Sequence, residues 1–375
     1  MRRFLFLLIL LVSLSGCRHA AKAPVKPARN AYARLFDLQA QDGYTLLHIR
    51  QPYPGGKAVT YVLLPRQADI AGLPDSLQQY PVIRTPVRRI IATSVTHLEP
   101  FYLLGEGDKI IGFPQTDYIV SPYFRRRVDQ GLITDIGNEL MPDAETVLSL
   151  RPDIMLVFTT GNDRKDFSFY RQNGIPVLYM AEWMEAHPLG RAEWLKVAGA
   201  LTDKLAHADS IFRHIRTRYE NIVRQARRIK SRPAVFKGGM FGDKWYVPGG
   251  ASWPAKLIRD AGGRYVIDDS TATGSLTLNH ENALLRLMQS RIWLDPGTWT
   301  ASAQIRQAFP GATGDKLLQR LRIYSVNLKT DRHGRILFFE KSPMHPDLVL
   351  QDLFRIFRTD SLLPADSLHF YAPVH

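Results

Sequence analysis

Residues 203–231 read DKLAHADSIFRHIRTRYENIVRQARRIKS, and this stretch decides how the rest of the chain is laid out. Leu201, Leu205, Ala208, Phe212, Ile215, Tyr219, Ile222, Ala226 and Ile229 recur at steps of four and three. That spacing puts them on one stripe of an α-helix while Arg, Lys, His and Asp face water. Neither Gly nor Pro interrupts the run, Thr202 or Asp203 is the expected N-cap, cations gather in the last turns, and Pro233 follows. At the usual rise such a helix spans about 40 Å, the width of a domain. Alone it reads equally as a coiled-coil seam or an ordinary core helix.

The flanking sequence narrows the choice. Upstream, short apolar runs at Arg88 to Thr93, Lys109 to Phe113, Asp153 to Thr159 and Ile175 to Met180 read as buried strands. Helices are predicted between them at His97 to Leu104, Pro142 to Leu150 (with Pro first) and Arg164 to Asn173. Downstream the style repeats. Strands are expected at Ala234 to Lys237, Trp245 to Val247, Arg291 to Leu294 and Arg322 to Val326, and helices at Trp253 to Ala261, Glu281 to Gln289 and Asp347 to Phe357. The expected fold class is α/β: two Rossmann-like lobes bridged by a single long helix, with a β-rich appendage ahead of them. Its strand-like runs are Tyr44 to Arg50 and Ala58 to Leu64. The expected divisions are 1–16, 17–34, 35–86, 87–201, 202–231, 232–360 and a tail, 361–375.

Arg2, Arg3, the apolar run Phe4 to Val12 and Leu14-Ser15-Gly16-Cys17 form an export leader that ends like a bacterial lipobox. Cys17 is the single cysteine of the 375 residues, so it is the candidate lipidation site and an internal disulfide is excluded. Residues 20–30, rich in Ala, Pro and Lys, read as a tether from a membrane anchor. The chain is exported, on this reading, and held at a membrane surface by acyl chains. Its 45% hydrophobic content is ample for two cores. The formal charge of +14 is spread along the chain without a nucleic-acid-binding signature, so nucleic acid is not an expected partner. Arg125-Arg126-Arg127 reads as a solvated helix face. Gly105, Gly107 and Gly112 follow a helix instead of opening one, which excludes a dinucleotide loop.

Several motifs in fixed order resemble a known family. Arg89-Ile-Ile-Ala-Thr-Ser94, His97-Leu98-Glu99, Leu103-Leu104-Gly105, Asp143-Ala-Glu145, Leu150-Arg-Pro-Asp153-Ile-Met-Leu-Val157 and Gly174-Ile-Pro-Val177 are similar to the first lobe of the substrate-binding proteins that feed ABC importers for iron chelates, haem and vitamin B12. Gly249-Gly250, Ser252-Trp253, Leu257, Ala261-Gly262-Gly263 and Glu281 resemble the second lobe. The resemblance runs from Val87 to Phe357 and leaves the β-rich segment outside it.

The resemblance implies a monomeric receptor that passes a ferric siderophore, haem or cobalamin to the transmembrane permease of an ABC importer with its cytoplasmic ATPase. No catalytic residue, resident cofactor or bare-metal site is implied. Glu145 and Glu281 match the acids that dock on permease arginines, a task suited to directional carboxylate–Arg pairs. Loops after strands supply the candidate ligand contacts Thr96, His97, Tyr118, Asn138, Thr160, Glu182, Trp183, Phe241, Trp245, Tyr246, Trp253, Thr273 and Trp299. Trp183 and Trp245 lead that set, because aromatic faces suit a flat macrocycle or catecholate. Two other readings remain: a bare divalent-metal receptor of the same fold using His97 and Glu182, and an exported hydrolase using Ser94, His97 and Glu99. The first lacks converging ligands and the second lacks a nucleophile elbow.

Overall fold

The computed structural model of the chain describes residues 30–139, 142–161, 167–331 and 333–375. The leader 1–16, Cys17 and the tether through residue 29 lie outside the described residues. The appendage comprises β1 (Phe36–Ala40), β2 (Thr45–Ile49), β3 (Val59–Pro65) and β4 (Val82–Thr85). They form one sheet in that order, antiparallel except for the parallel β3–β4 pair.

The first lobe follows with β5 (Ile90–Ala92), α1 (Leu98–Leu103), β6 (Ile110–Phe113), α2 (Pro122–Asp129), β7 (Thr134–Asp135), α3 (Ala144–Ser149), β8 (Ile154–Val157), α4 (Ser168–Gln172) and β9 (Val177–Tyr179). Its sheet is parallel in the order β7-β6-β5-β8-β9. Strands β5 and β8 are buried at every position, as expected of central strands with helices on both faces. The predicted helix at 142 starts later, because Pro142 is bridged to Gly137 and the Asp143 side chain caps α3 by accepting from the Thr146 N–H. Arg125, Arg126 and Arg127 lie on α2, but only Arg126 is exposed, since Arg125 donates to Thr116 O and Arg127 to Asp108 O.

Helices α5 (Pro188–Glu193), α6 (Leu195–Leu201) and α7 (Leu205–Ala226) lead out of the first lobe. The long helix is thus 22 residues, about 33 Å, and shorter at both ends than its apolar pattern predicts. Asp203 takes a left-handed turn (φ 58°), Lys204 is the N-cap without a side-chain bond, and Thr202 bonds back to Ala198 O, so neither predicted cap is used. Ala208 sits in the core of the first lobe, whereas Phe212, Ile215, Tyr219 and Ala226 sit in the core of the second, and Ile211 packs against both. A side chain at Gly199 would meet the Ala208 Cβ at 2.6 Å, which shows how closely α6 and α7 approach.

The second lobe contains β10 (Ala234–Lys237), β11 (Gly239–Phe241), β12 (Lys244–Pro248), α8 (Trp253–Asp260), β13 (Arg264–Tyr265), β14 (Ser275–Leu278), α9 (His280–Met288), β15 (Ile292–Leu294), α10 (Ser302–Ala308), α11 (Ala312–Arg320), β16 (Arg322–Ser325), α12 (Phe338–Lys341), α13 (Pro346–Arg358) and β17 (Ala372–Pro373). Its main sheet runs β13-β10-β15-β16-β17, and β11-β12-β14 form a smaller antiparallel sheet. The stretch 361–375, read from sequence as a tail, supplies edge strand β17, antiparallel to β16. Helix α7 packs on both α6 and α13.

Residues 31–34, expected to belong to a tether, are held in place together with Leu35. Glu193 accepts from the backbone N–H groups of Ala31, Tyr32 and Ala33 at 2.8–2.9 Å. Glu185 accepts from those of Arg34 and Leu35 and from the Trp194 indole. Nearby, His187 caps α5 by accepting the Leu189 N–H at Nδ1 and lies against the Tyr32 ring, tilted by 40° with centroids 4.6 Å apart. Burial, with help from the Lys256 charge, pushes this imidazole down to about 4. The fold therefore favours neutral His187. Its contribution is present above the unfolded value near 6.5 and is lost as pH falls toward 4. His187→Asn keeps an acceptor and removes the titration, so the drop in urea midpoint between pH 7 and pH 4.5 should be smaller in this variant; an unchanged drop refutes the assignment.

Candidate functional site

In each lobe the strand order reverses direction, between β5 and β8 in the first and between β10 and β15 in the second. Loops leaving the carboxyl ends of such strands diverge and form a crevice. Three cavities of the size of a small-molecule site lie along these loops. The first, about 460 Å³, has Ser94, Phe113, Tyr118 and Phe158 from the first lobe and Arg335 and Phe339 from the second in its walls. A second, about 530 Å³, is bounded by Trp183, Ser252, Trp253 and Thr273 together with Gln51 and Pro54 of the appendage. The third, about 410 Å³, is a more open recess at Phe241, Tyr246 and Gly297. Phe158 and Trp183 meet edge-on at 5.4 Å, so an aromatic contact links the walls of the first two.

The polar frame around these cavities is tightly bonded. Thr96 donates to Glu182 at 2.7 Å and thereby ties the turn after β5 to the turn after β9. Glu182 and Arg191 are both buried. The Arg191 guanidinium lies 4.4 Å from the Trp253 ring centroid. Burial pulls this guanidinium down to about 10, against the opposing pull of the Glu182 charge. Arg335 pairs with Asp331 at 2.7 Å and donates to the backbone of Asp117 across the lobes.

Three further bonds join the lobes on that side. Glu340 of α12 accepts from the N–H groups of Val120 and Ser121, and His345 pairs with buried Glu99 at 2.7 Å. Burial raises the Glu340 carboxyl above its ordinary value, although the two N–H bonds oppose this.

The sequence-derived contacts divide among these places. Tyr118 lies on the first cavity, Trp183, Trp253 and Thr273 on the second, Phe241 and Tyr246 on the third. Asn138 and Thr160 are exposed but line none of the three. Thr96 and Glu182 bond each other through the Thr96 hydroxyl and one Glu182 carboxylate oxygen, and His97 is fully buried in the short turn before α1.

Trp245 corrects the expectation outright. It is fully buried among Phe236, Trp293, Trp299 and Phe309, so it belongs to the core of the second lobe, and Trp299 packs against it half-buried. Phe158, Phe113, Arg335 and Phe339 were not anticipated. Phe158 and Phe113 had a legible signal, since each stands at the carboxyl end of a predicted strand.

Glu145 and Glu281 are exposed in the first turns of α3 and α9. The hydrolase trio is not assembled, because Glu99 bonds to His345 and Ser94 to Thr96. No group of three His, Cys, Asp or Glu side chains able to hold a metal occurs among the described residues. None of the described helices is long and apolar enough to cross a membrane.

A family model described as periplasmic binding protein matches residues 90–303. The chain belongs to this family. Among curated relatives, an uncharacterized lipoprotein of Methanocaldococcus jannaschii is 24% identical over 285 residues, covering 72% of this chain and 67% of that protein. A second from the same organism is 25% identical, with half of each chain covered. The vitamin B12-binding protein of Vibrio parahaemolyticus is 22% identical over 50% of this chain and 64% of its own length. The chain thus spans between half and two thirds of these relatives.

Of the solved structures, a possible iron-binding periplasmic protein of Staphylococcus epidermidis aligns with a TM-score of 0.57 at 19% identity, over 73% of this chain and 100% of that one. The haem-binding protein HutB of Vibrio cholerae aligns at 0.54 and 17% identity, over 71% and 98%. Structural likeness at these identities shows the two-lobe fold alone. The family and these neighbours are named as periplasmic binding proteins.

Because a buried Trp in a packed core leaves a cavity when truncated, Trp245→Ala should lower the unfolding free energy by about 3–5 kcal/mol. Trp183→Ala, at a half-buried cavity wall, should cost far less in the same denaturant titration. Equal costs contradict the placement of these two indoles.

Proposed function

We propose that this binding protein is a membrane-tethered receptor that captures a ferric chelate, haem or a corrinoid and presents it to the permease of an ABC importer. The observation that carries this reading is the pair of aromatic-walled cavities at the mouths of two α/β lobes held by one helix. Tyr118, Phe158 and Phe339 offer ring surface to a flat or conjugated cargo, and Arg335, held by Asp331 and the Asp117 backbone, completes the wall between them. Trp183 and Trp253 do the same in the second cavity, backed by Arg191. Anchoring would run through Cys17, a reading supported by the relatives named as lipoproteins.

The intact chain in mild detergent, titrated against a detergent blank, tests the cargo assignment. Trp fluorescence and visible absorbance should report saturable, micromolar or tighter binding of one among haem, a ferric hydroxamate, a ferric catecholate and cobalamin. Saturation only by bare zinc or manganese ions overturns the proposal.

Glu145 and Glu281 are the proposed docking acids. Both are exposed, both sit at helix starts, and neither makes an ion pair among the described residues. In cells that depend on this receptor, a Glu145→Ala/Glu281→Ala variant should bind cargo normally and lower its uptake by at least about tenfold, as expected when charge pairs at an interface are truncated. Normal uptake by the variant removes the docking role.

A further inference from the structure

The 530 Å³ cavity has a wall that the family match does not contain: Gln51 and Pro54 belong to the loop between β2 and β3, well ahead of residue 90. We infer that this loop is a specificity-determining wall of the ligand site, where the Gln51 amide and the Pro54 ring face the part of the cargo lying between Trp183 and Trp253. The inference rests on the receptor reading above and assigns a task to the appendage within it.

Three observations make the loop a wall instead of a passing segment. First, it is seated. The Tyr53 ring meets Tyr179 of β9 edge-on at 5.8 Å and fills the space beside Gly161, where an added Cβ would lie 2.7 Å from that ring. Gly161 has φ +80°, so both its backbone and its missing side chain suit this approach.

Second, the sheet that carries the loop is fastened to the first lobe at several points. Phe36, Leu47, Ile49, Tyr61, Leu63 and Ile83 share one core with the first lobe. Asp153 accepts from Arg66 at 2.5 Å and from the backbone of Arg88 and Arg89. Tyr179 N–H donates to the Tyr61 hydroxyl. Glu185, itself on the cavity wall, holds Arg34 and Leu35 just ahead of β1.

Third, the chemistry of the walls is complementary. Trp183 and Trp253 supply ring surface, Ser252 and Thr273 supply hydroxyls, Glu185 supplies a carboxyl, and the Gln51 amide, which both donates and accepts, stands on the appendage side. Such a set suits the edge of a planar conjugated group that carries amide or hydroxyl substituents. A preorganised amide discriminates between cargoes by the hydrogen bonds left unmade with the wrong one.

The test uses the intact chain and the four-cargo panel: haem, a ferric hydroxamate, a ferric catecholate and cobalamin. Gln51→Ala removes the amide, Thr273→Trp fills the cavity from the opposite side, Tyr53→Ala unseats the loop without altering a lining residue, and Tyr118→Ala probes the other cavity. For the cargo that the unmodified protein binds, Gln51→Ala and Thr273→Trp should raise Kd at least tenfold with an unchanged melting curve. Tyr53→Ala should raise Kd and narrow the preference between that cargo and the rest of the panel. Unchanged Kd in Gln51→Ala and Thr273→Trp, with loss in Tyr118→Ala alone, puts the cargo in the first cavity and overturns the wall assignment while leaving the receptor reading intact. Failure of the unmodified protein to bind any of the four overturns the receptor reading for these cargo classes, and the wall assignment with it.

Discussion

Helix α7 is shared by two hydrophobic cores, and the rest of the architecture depends on that sharing. Its start, at Ala208, is buried with Trp194 and Leu201 of the first lobe, while Phe212, Ile215 and Tyr219 are buried with Leu350, Leu353 and Ile356 of the second. Displacing one lobe relative to the other would expose part of one core, at a cost set by the apolar area uncovered. A second set of bonds, from α12 and His345 to the first lobe, restrains the same displacement from a different side. Two restraints far apart in the chain leave little freedom for a hinge. The cavities between the strand mouths are therefore largely preformed, and preformed sites lose less entropy when a ligand enters.

Buried carboxylates perform the corresponding task for the appendage. Glu193 is fully buried, yet it meets three backbone N–H groups and the Lys196 ammonium at 2.9 Å, and Lys196 also reaches Asp209 of α7 at 3.2 Å. Burial of a charge is tolerated only when its lone pairs are occupied in this way. The strap 31–35, the end of the first lobe and the bridging helix are consequently parts of one polar network. Glu185 is of the same kind, with burial raising its carboxyl and the Leu35, Trp194 and Arg34 donors opposing the rise. An element fastened by such bonds is a structural part of the lobe, which is why its loop can serve a binding site.

The sequence showed the frame far better than the walls. Periodicity located α7 because an apolar stripe is a local property, and continuous apolar runs located β5, β8 and β15 for the same reason. The ends of α7 were misjudged because Ile229 continues the stripe after the helix has stopped, packing against the second core from outside it. In β12 the residues alternate, Lys244 and Tyr246 outward and Trp245 and Val247 inward. Val247 marked the inward parity, and a strict reading of that alternation would have sent Trp245 to the core. No comparable signal existed for Glu185 and Glu193, whose partners lie 150 and 162 residues earlier. Residues 334–339 were equally silent, since their place on the first cavity depends on how one lobe meets the other.

The same division of labour separates what is common to the family from what is particular to this chain. The match covers 90–303, which contains β5 through β9, the bridging helix, β10 through β15 and hence both strand mouths. Yet the first cavity is closed by Arg335, Ile336 and Phe339, beyond the end of the match, and the second by Gln51 and Pro54, before its beginning. A fold supports many ligands by keeping its frame and changing the loops that close its sites. Here each cavity takes some walls from the shared frame and others from segments outside it. On the proposed receptor reading, cargo preference is expected to follow the unmatched segments, whereas Trp183, Trp253 and Phe158 are walls that the matched frame supplies. The appendage and the stretch after residue 303 thus wall two separate cavities, each through attachment to the lobes that the shared helix holds together.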